Sequence, residues 1–161
     1  NDKSEEVMGY LIQNVEMAIY TLTENNQDNE KFIRSFGAKW ALIPSKIQNN
    51  WRYQCTYYQK CEEFLDILQP VIHKKIFPII QKEIVRCPKP VQVPICKFFI
   101  KLLLLPIYDL KLELGEFMLN SLVQSKSLYH RLMFLELAAF AAEEFSMSFF
   151  NKHFGQMVFM F

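Results

Sequence analysis

The stretch Ile47–Leu68, IQNNWRYQCTYYQKCEEFLDIL, decides the fold that the sequence predicts. Its apolar and half-apolar residues recur at three- and four-residue spacing, which is typical of one face of an amphipathic helix. These residues are Ile47, Trp51, Cys55, Tyr58, Cys61, Leu65 and Leu68. At roughly 100° per residue, Cys55 and Cys61 flank Tyr58, so all three side chains are predicted to face the core. The stretch is therefore predicted to be a central helix that carries two cysteines inward.

Cys55 and Cys61 cannot be bonded to each other if this helix forms. Six residues of helix place their Cα atoms about 10 Å apart, beyond the roughly 7 Å limit of a disulfide. Their partners are then Cys87 and Cys96. A short link at Gln69 predicts that the third and fourth helices form an antiparallel hairpin, in which equal rise per residue brings Cys87 level with Cys55. The favoured bridges are Cys55–Cys87 and Cys61–Cys96.

Two other pairings stay open. One joins Cys55 to Cys96 and Cys61 to Cys87, and the least favoured is a local Cys87–Cys96 bridge, which leaves two thiols on one helix. The segment 87–96, CPKPVQVPIC, contains three prolines and is predicted to be extended and polyproline-like rather than helical. It would then act as a rigid strap that presents one cysteine at each end.

Cysteine usage and composition predict the compartment. An even number of cysteines, 4, with two on one helix face, favours an oxidising compartment, against the alternative of four buried thiols in a cytosolic protein. The chain starts at Asn1 without methionine, from which we expect either that a targeting segment has been removed or that the sequence was shortened at this end. The predicted localisation is secreted.

Charge and hydropathy argue against a nucleic-acid partner and against a transmembrane segment. A formal net charge of +1 provides no general field for nucleic acid, so no nucleic-acid partner is expected. No apolar run approaches the roughly 18 residues that a membrane-spanning helix needs, because charged residues interrupt the most apolar region, 98–123. No transmembrane segment is expected.

Helical periodicity continues along the rest of the chain. The spacing predicts a first helix with a buried stripe at Val7, Leu11 and Val15, and a second over residues 28–41. A fourth helix begins at Pro70 and kinks at Pro78. A long apolar helix from Cys96 to about Val123 is interrupted at Pro106, and a last helix runs to about Phe150 before an apolar tail. The predicted fold is all-α: one domain over 1–161, a helical bundle of about five to seven helices stapled by disulfides.

The excess of large apolar residues has two interpretations. The plainer one is core filling. The other is a cavity between helices for a small apolar ligand such as a fatty acid or a sterol, because helices kinked at prolines fill space poorly. The residues predicted to line such a cavity are Phe98, Phe99, Leu102, Leu103, Phe117 and Phe140.

No arrangement typical of catalysis or metal binding is found. The histidines, His73, His130 and His153, lie on three different segments without a second ligand at helical spacing. The carboxylate pairs 62–63 and 143–144 are adjacent in sequence, and adjacent helical residues do not share a face. We therefore expect no enzyme activity, no cofactor and no metal.

Cys55, Tyr58 and Cys61 form a Cys-x-x-Tyr-x-x-Cys cluster. In a small helical chain with few cysteines, this cluster resembles the Cys-Tyr-Cys motif of the bicycle family, the secreted salivary effectors of gall-forming aphids. That family carries the motif twice, whereas Cys87 and Cys96 have no tyrosine between them. The resemblance implies secretion in saliva, delivery to a host and no enzymatic activity.

Two functions follow as expectations. The first is a secreted, non-enzymatic effector or interaction protein that binds an unknown protein target, of a host if the resemblance holds. The alternative is a carrier that binds a small apolar ligand between its helices.

Overall fold

A computed structural model describes residues 5–12, 14–15 and 29–141. These residues form helices joined by turns and short irregular links, with no strand among them, so the all-α prediction is confirmed. The chain divides into two compact units, Asn1–Phe98 and Phe99–Phe161. The boundary between the units falls within a helix.

The helices follow one another closely. Helical residues 5–12 and 14–15 are together called α1. The others are α2 (Asn29–Trp40), α3 (Ile43–Lys46), α4 (Trp51–Glu63), α5 (Leu65–Val71), a π-helical turn (Ile72–Ile76), α6 (Phe77–Ile84), α7 (Lys89–Leu103), α8 (Tyr108–Gln124) and α9 (Leu128–Ala141). No helix in this part of the chain is both long enough and apolar enough to cross a membrane.

Helix α2 has the extent that its sequence predicts. Its aromatic residues recur every fourth position, so their rings stack along one face: the ring centroids of Phe32 and Phe36 are 6.1 Å apart, and those of Phe36 and Trp40 are 5.6 Å apart. Gly37 lies on this helix where it packs against α5. A Cβ atom at Gly37 would lie 2.4 Å from Cγ2 of Val71, so only glycine permits this close approach.

The predicted central helix is shorter than Ile47–Leu68. It begins after Asn50, whose side chain accepts a hydrogen bond of 3.1 Å from the backbone N–H of Tyr53. Asn50 therefore caps the helix, while the hydroxyl of Ser45 donates to the carbonyl of Leu42. The helix ends at Phe64, where φ is −100° and ψ is 18°. The chain then re-enters a helix at Leu65, so the break comes earlier than the predicted link at Gln69.

Prolines 70 and 78 lie inside a nearly continuous helical stretch from Leu65 to Ile84. The prediction that a helix begins at Pro70 is therefore wrong, since Pro70 lies within α5. Just before Pro78, the backbone N–H of Phe77 donates to the carbonyl of Ile72, five residues earlier. This widened turn accommodates a residue that cannot donate its own hydrogen bond.

The prediction that segment 87–96 is extended and polyproline-like is wrong, because this segment is helical from Lys89 onward. Pro90 lies in the first turn, where a missing N–H removes no helical hydrogen bond. Pro94 lies deeper and cannot donate to the carbonyl of Pro90, four residues earlier. The thiol of Cys55 donates to that carbonyl instead, at 3.3 Å. A side chain from α4 thus satisfies the acceptor that Pro94 leaves free.

Each unit has its own buried side chains. In the first unit, the fully buried large residues include Trp40, Ile47, Tyr57, Leu68, Ile72, Ile76, Ile80 and Phe98. In the second, Phe134 on α9 is fully buried, and its ring meets that of Phe117 on α8 edge to face, with centroids 6.1 Å apart. The predicted interruption at Pro106 is confirmed, since α7 ends at Leu103 and α8 begins at Tyr108. The end predicted for the last helix, near Phe150, and the apolar tail lie outside the described residues.

Candidate functional site

An apolar cleft lies between α1, α2 and α3 within the first unit. Its volume is about 480 Å³, within the range of roughly 300–1,000 Å³ that is usual for small-molecule sites. The apolar residues that line it are Met8, Leu11, Val15, Phe36, Trp40, Leu42 and Ile43. We call this set, together with Asn14, Lys39 and Lys46, the apolar cleft.

Trp40 forms a fixed part of the cleft wall. Its ring stacks on that of Tyr57, with the centroids 4.8 Å apart. The Tyr57 hydroxyl donates to the Trp40 carbonyl at 3.1 Å, and the indole Nε1–H donates to the Sγ of Cys61 at 3.2 Å. These contacts join the end of α2 to α4. The indole is therefore held in one orientation.

Positive charge lies at the cleft. Lys39 and Lys46 are solvent-exposed residues of its lining, and no acidic residue is found among the described residues that line it. Lysine side chains extend along apolar surface while their ammonium groups stay in water. Asn14 adds a polar amide, which already donates to the carbonyl of Tyr10 at 2.8 Å. The cleft therefore offers an apolar interior with a cationic edge.

A second, polar pocket of about 240 Å³ lies beside the junction of α6 and α7. It is lined by Gln48, Asn49, Gln54, Glu83, Arg86, Cys87 and Pro88, which together are called the polar pocket. Gln54 and Glu83 are only 7% exposed. Burial, and then the negative charge of Glu83, raise the pKa of the nearby Tyr58 hydroxyl well above its ordinary value.

The four cysteines are free thiols, so the predicted bridges Cys55–Cys87 and Cys61–Cys96 are not formed in this structure. Cys61 is fully buried and accepts the hydrogen bond from Trp40. Cys55 is half-buried and bonds to α7, while Cys87 donates to the carbonyl of Ile84 at 3.6 Å. The helical form of segment 89–96 removes the strap on which the predicted pairing depended.

The thiols of Cys96 and Cys55 both act on the pKa of Cys87, whereas no other thiol contributes to the pKa of Cys61. Burial raises the pKa of Cys87 from 9.0 to about 12, and the thiols of Cys96 and Cys55 add to this rise. Cys61 has a different neighbourhood, since its pKa of about 12 results from burial, opposed by hydrogen bonds with Trp40 and Tyr57. At neutral pH, Cys61 and Cys87 are therefore protonated thiols rather than nucleophilic thiolates.

The motif residues do not all face the same way. Tyr58 and Cys61 are buried as predicted, whereas Cys55 is only half-buried. The Tyr58 ring lies 6.5 Å from that of Phe98 and 5.1 Å from that of Tyr57. This part of the predicted core face is confirmed.

The residues predicted to line a ligand cavity are not those that line the apolar cleft. Phe98, Phe99, Leu102 and Leu103 are fully buried and line neither the cleft nor the polar pocket. Phe117 is half-buried against Phe134. The side chain of Phe140 lies outside what the structure describes.

Two of the three histidines, His73 and His130, lie within the described residues, each in its own helical segment. His73 lies in the π-helical turn with its ring 6.5 Å from that of Phe77, and His130 lies on α9 with a buried Nε2 atom that has no hydrogen-bond partner. His153 lies outside the described residues. Within the part of the chain that the structure describes, no cluster of three or more His, Cys, Asp and Glu side chains could hold a metal ion.

Neither the apolar cleft nor the polar pocket was predicted from the sequence, and the reason is physical. Leu11 is predicted to be buried yet is 47% exposed, because it faces the cleft rather than the core. Only the way in which α1 meets α2 and α3 creates the cleft, and periodicity does not specify how helices meet. Comparison with protein-family models, with curated proteins and with solved structures finds no match. The proposals that follow therefore rest on the residues of this chain.

Proposed function

We propose that the protein binds a small amphipathic anion, such as a medium-chain fatty acid, in the apolar cleft. The observation that carries this proposal is the combination of an apolar lining with two lysines and no acidic residue among the described residues around it. The hydrocarbon chain would lie against Leu11, Phe36 and Trp40. The carboxylate would stay near the ammonium groups of Lys39 and Lys46.

The energetics favour a chain of several methylene groups. Each buried methylene contributes about 0.8 kcal/mol, which is a three- to fourfold gain in affinity. The lysines contribute less, because exposed ion pairs are worth roughly 0.2–1 kcal/mol. The chain therefore provides most of the affinity, and the lysines select an acid over a neutral alcohol.

Fluorescence of Trp40 provides the experiment. The chain has 2 tryptophans, so a Trp51→Phe variant leaves Trp40 as the only one, in the cleft wall. Octanoate, decanoate and dodecanoate are titrated below their critical micelle concentrations. We expect saturable changes in emission, with the dissociation constant falling about threefold or more per added methylene until the cleft is full. Dodecanol should bind more weakly than dodecanoate.

Matched variants distinguish the cleft from non-specific binding. Leu42 lines the cleft and is 63% exposed, whereas Val93 lies outside it and is 62% exposed. Leu42→Glu should weaken dodecanoate binding about tenfold or more, since it adds a carboxylate to the apolar lining. Val93→Glu should leave it unchanged. Equal affinity in both variants, or the absence of any saturable signal, would refute the proposal.

The expectation of a secreted interaction protein remains a second proposal, supported by a different observation. On α9, Leu128, Leu132 and Leu135 recur at four- and three-residue spacing and are 71%, 51% and 37% exposed. Such an exposed apolar stripe is typical of a helix that docks into a groove of a partner protein. The partner would be a host protein if the family resemblance holds.

If the protein is secreted, as this second proposal holds, we expect a form with a disulfide bridge. In a secretory compartment we expect Cys87 to form a bridge with Cys55 or Cys96, the two cysteines whose thiols act on its pKa. Cys61 would keep its hydrogen bond from Trp40.

The stripe can be tested with variants that share its exposure. Leu132→Glu should abolish saturable capture of a single protein from the target tissue, because it places a charge at the centre of the apolar stripe. Tyr108→Glu is the control, since Tyr108 is 73% exposed and lies on α8 rather than on α9. Capture that survives Leu132→Glu, or that is lost equally in both variants, would contradict the interaction proposal.

A further inference from the structure

The polar pocket contains a buried acceptor without a hydrogen-bond partner. Gln54 is 7% exposed, and its Nε2–H donates to the carbonyl of Gln48 at 3.1 Å. That bond fixes the amide, and the Oε1 atom accepts no hydrogen bond. Buried polar atoms in proteins are nearly always paired with protein, water or ligand. A group with an N–H or O–H donor is therefore expected beside Gln54.

The same pocket contains one carboxylate and one guanidinium group. An Nη atom of Arg86 lies 2.6 Å from Oε1 of Glu83, with the Glu83 side chain 9% exposed and the Arg86 side chain 45% exposed. A guanidinium group has five N–H donors, so Arg86 can bind an anion from solvent as well as Glu83. The two charges cancel, and the pocket therefore favours a ligand without net charge that carries both signs.

We propose that the polar pocket binds a free α-amino acid. The ammonium group of the ligand would donate to Oε1 of Gln54 and to the carboxylate of Glu83. Its carboxylate would accept from the outer N–H groups of Arg86. The volume of about 240 Å³ suits a molecule of this size, being smaller than the roughly 300–1,000 Å³ of sites for drug-sized ligands.

The role of the site is binding rather than covalent chemistry. Cys87 lines the pocket, but burial raises the pKa of its thiol to about 12. The thiol is therefore protonated at neutral pH and is not a nucleophile. The polar pocket and the apolar cleft share no lining residue, so this proposal does not depend on fatty-acid binding.

Calorimetric titration of the full chain with the common α-amino acids tests the proposal. Glycine betaine is the matched control ligand, because its trimethylammonium group has no N–H to donate to Gln54. We expect at least one amino acid to bind at a single site, at least tenfold more tightly than betaine. Gln54→Leu should lower that affinity tenfold or more, whereas Gln59→Leu, exposed on the same helix, should leave it unchanged.

A second variant keeps the test valid if Gln54→Leu does not fold. Arg86 is half exposed, so Arg86→Gln removes the anion-binding group without opening the core. It should also lower the affinity tenfold or more. Failure of every amino acid to bind, binding of betaine as tight as that of the amino acids, or full affinity in both pocket variants would overturn the proposal. A crystal structure grown with the amino acids that shows ordered water only in the pocket would do the same.

Discussion

Replacing Trp40 with alanine is expected to lower the free energy of unfolding by about 3–5 kcal/mol, the usual cost of removing a large buried aromatic side chain. Trp40 is 1% exposed, and its ring stacks on those of Phe36 and Tyr57. The substitution also removes the donor that reaches Cys61. These losses fall where α2 meets α4, and the substitution also opens the wall of the apolar cleft.

Trp51 provides the matched control for this substitution. It is the other tryptophan of the chain, is 46% exposed, and has the guanidinium carbon of Arg52 5.3 Å from its ring centroid. An exposed cation–π contact contributes about 0.5–1 kcal/mol, so Trp51→Ala should cost about 1 kcal/mol or less. Urea denaturation of both variants measures the difference. Similar costs for the two substitutions would show that the α2–α4 junction does not depend on Trp40.

Alkaline pH is expected to destabilise the protein steeply through Cys61. The pKa of this thiol is about 12 in the folded state, raised by burial, against 9.0 as its ordinary value. Between these two values the unfolded state loses a proton that the folded state keeps. The contribution of this thiol to the free energy of unfolding is therefore complete below pH 9 and declines as the pH rises toward 12. The equilibrium constant for unfolding rises by up to tenfold per pH unit, which lowers the free energy of unfolding by roughly 4 kcal/mol in all.

Comparison of cysteine variants isolates this contribution. Cys61→Ala should flatten the decline in the free energy of unfolding between pH 9 and 11, as measured by urea denaturation at each pH. Cys55→Ala serves as the control, since the Cys55 thiol is half-buried and burial raises its pKa less strongly. If Cys61→Ala retains the wild-type pH dependence, another group causes the decline. Cys87, whose pKa is also raised from 9.0 to about 12, would then be the first group to examine, followed by the buried hydroxyl of Tyr57.

The sequence predicts those parts of the fold that depend on contacts within one segment. Helix α2 follows from the four-residue spacing of Phe32, Phe36 and Trp40, since stacking along one helix face is a local property. The interruption at Pro106 follows in the same way, because proline cannot continue a helix without losing a hydrogen bond.

Predictions that depended on contacts between segments were wrong. Pro94 opposes a helix on its own, but the thiol of Cys55, 35 positions away from Pro90, satisfies the carbonyl that Pro94 leaves free. The pairing Cys61–Cys96 was derived by exclusion. The sequence does not reveal that the Sγ of Cys61 accepts a hydrogen bond from the indole of Trp40. Distant side chains thus decided both outcomes.

The two pockets show the same limit. The apolar cleft depends on how α1 meets α2 and α3, and the polar pocket joins residues of α4 with residues near the end of α6. Neither arrangement has a sequence signature. Gln54 and Glu83 could be recognised as functional candidates only after the structure showed that both are buried.

Native mass spectrometry tests the central claim, binding of an amphipathic anion in the apolar cleft, most directly. Wild type and Leu42→Glu are mixed in equal amounts and sprayed together with dodecanoate, so both experience the same free ligand concentration. We predict a single bound dodecanoate on the wild-type chain and little or none on Leu42→Glu. Equal occupancy of the two chains, or no adduct on either, would contradict the proposal.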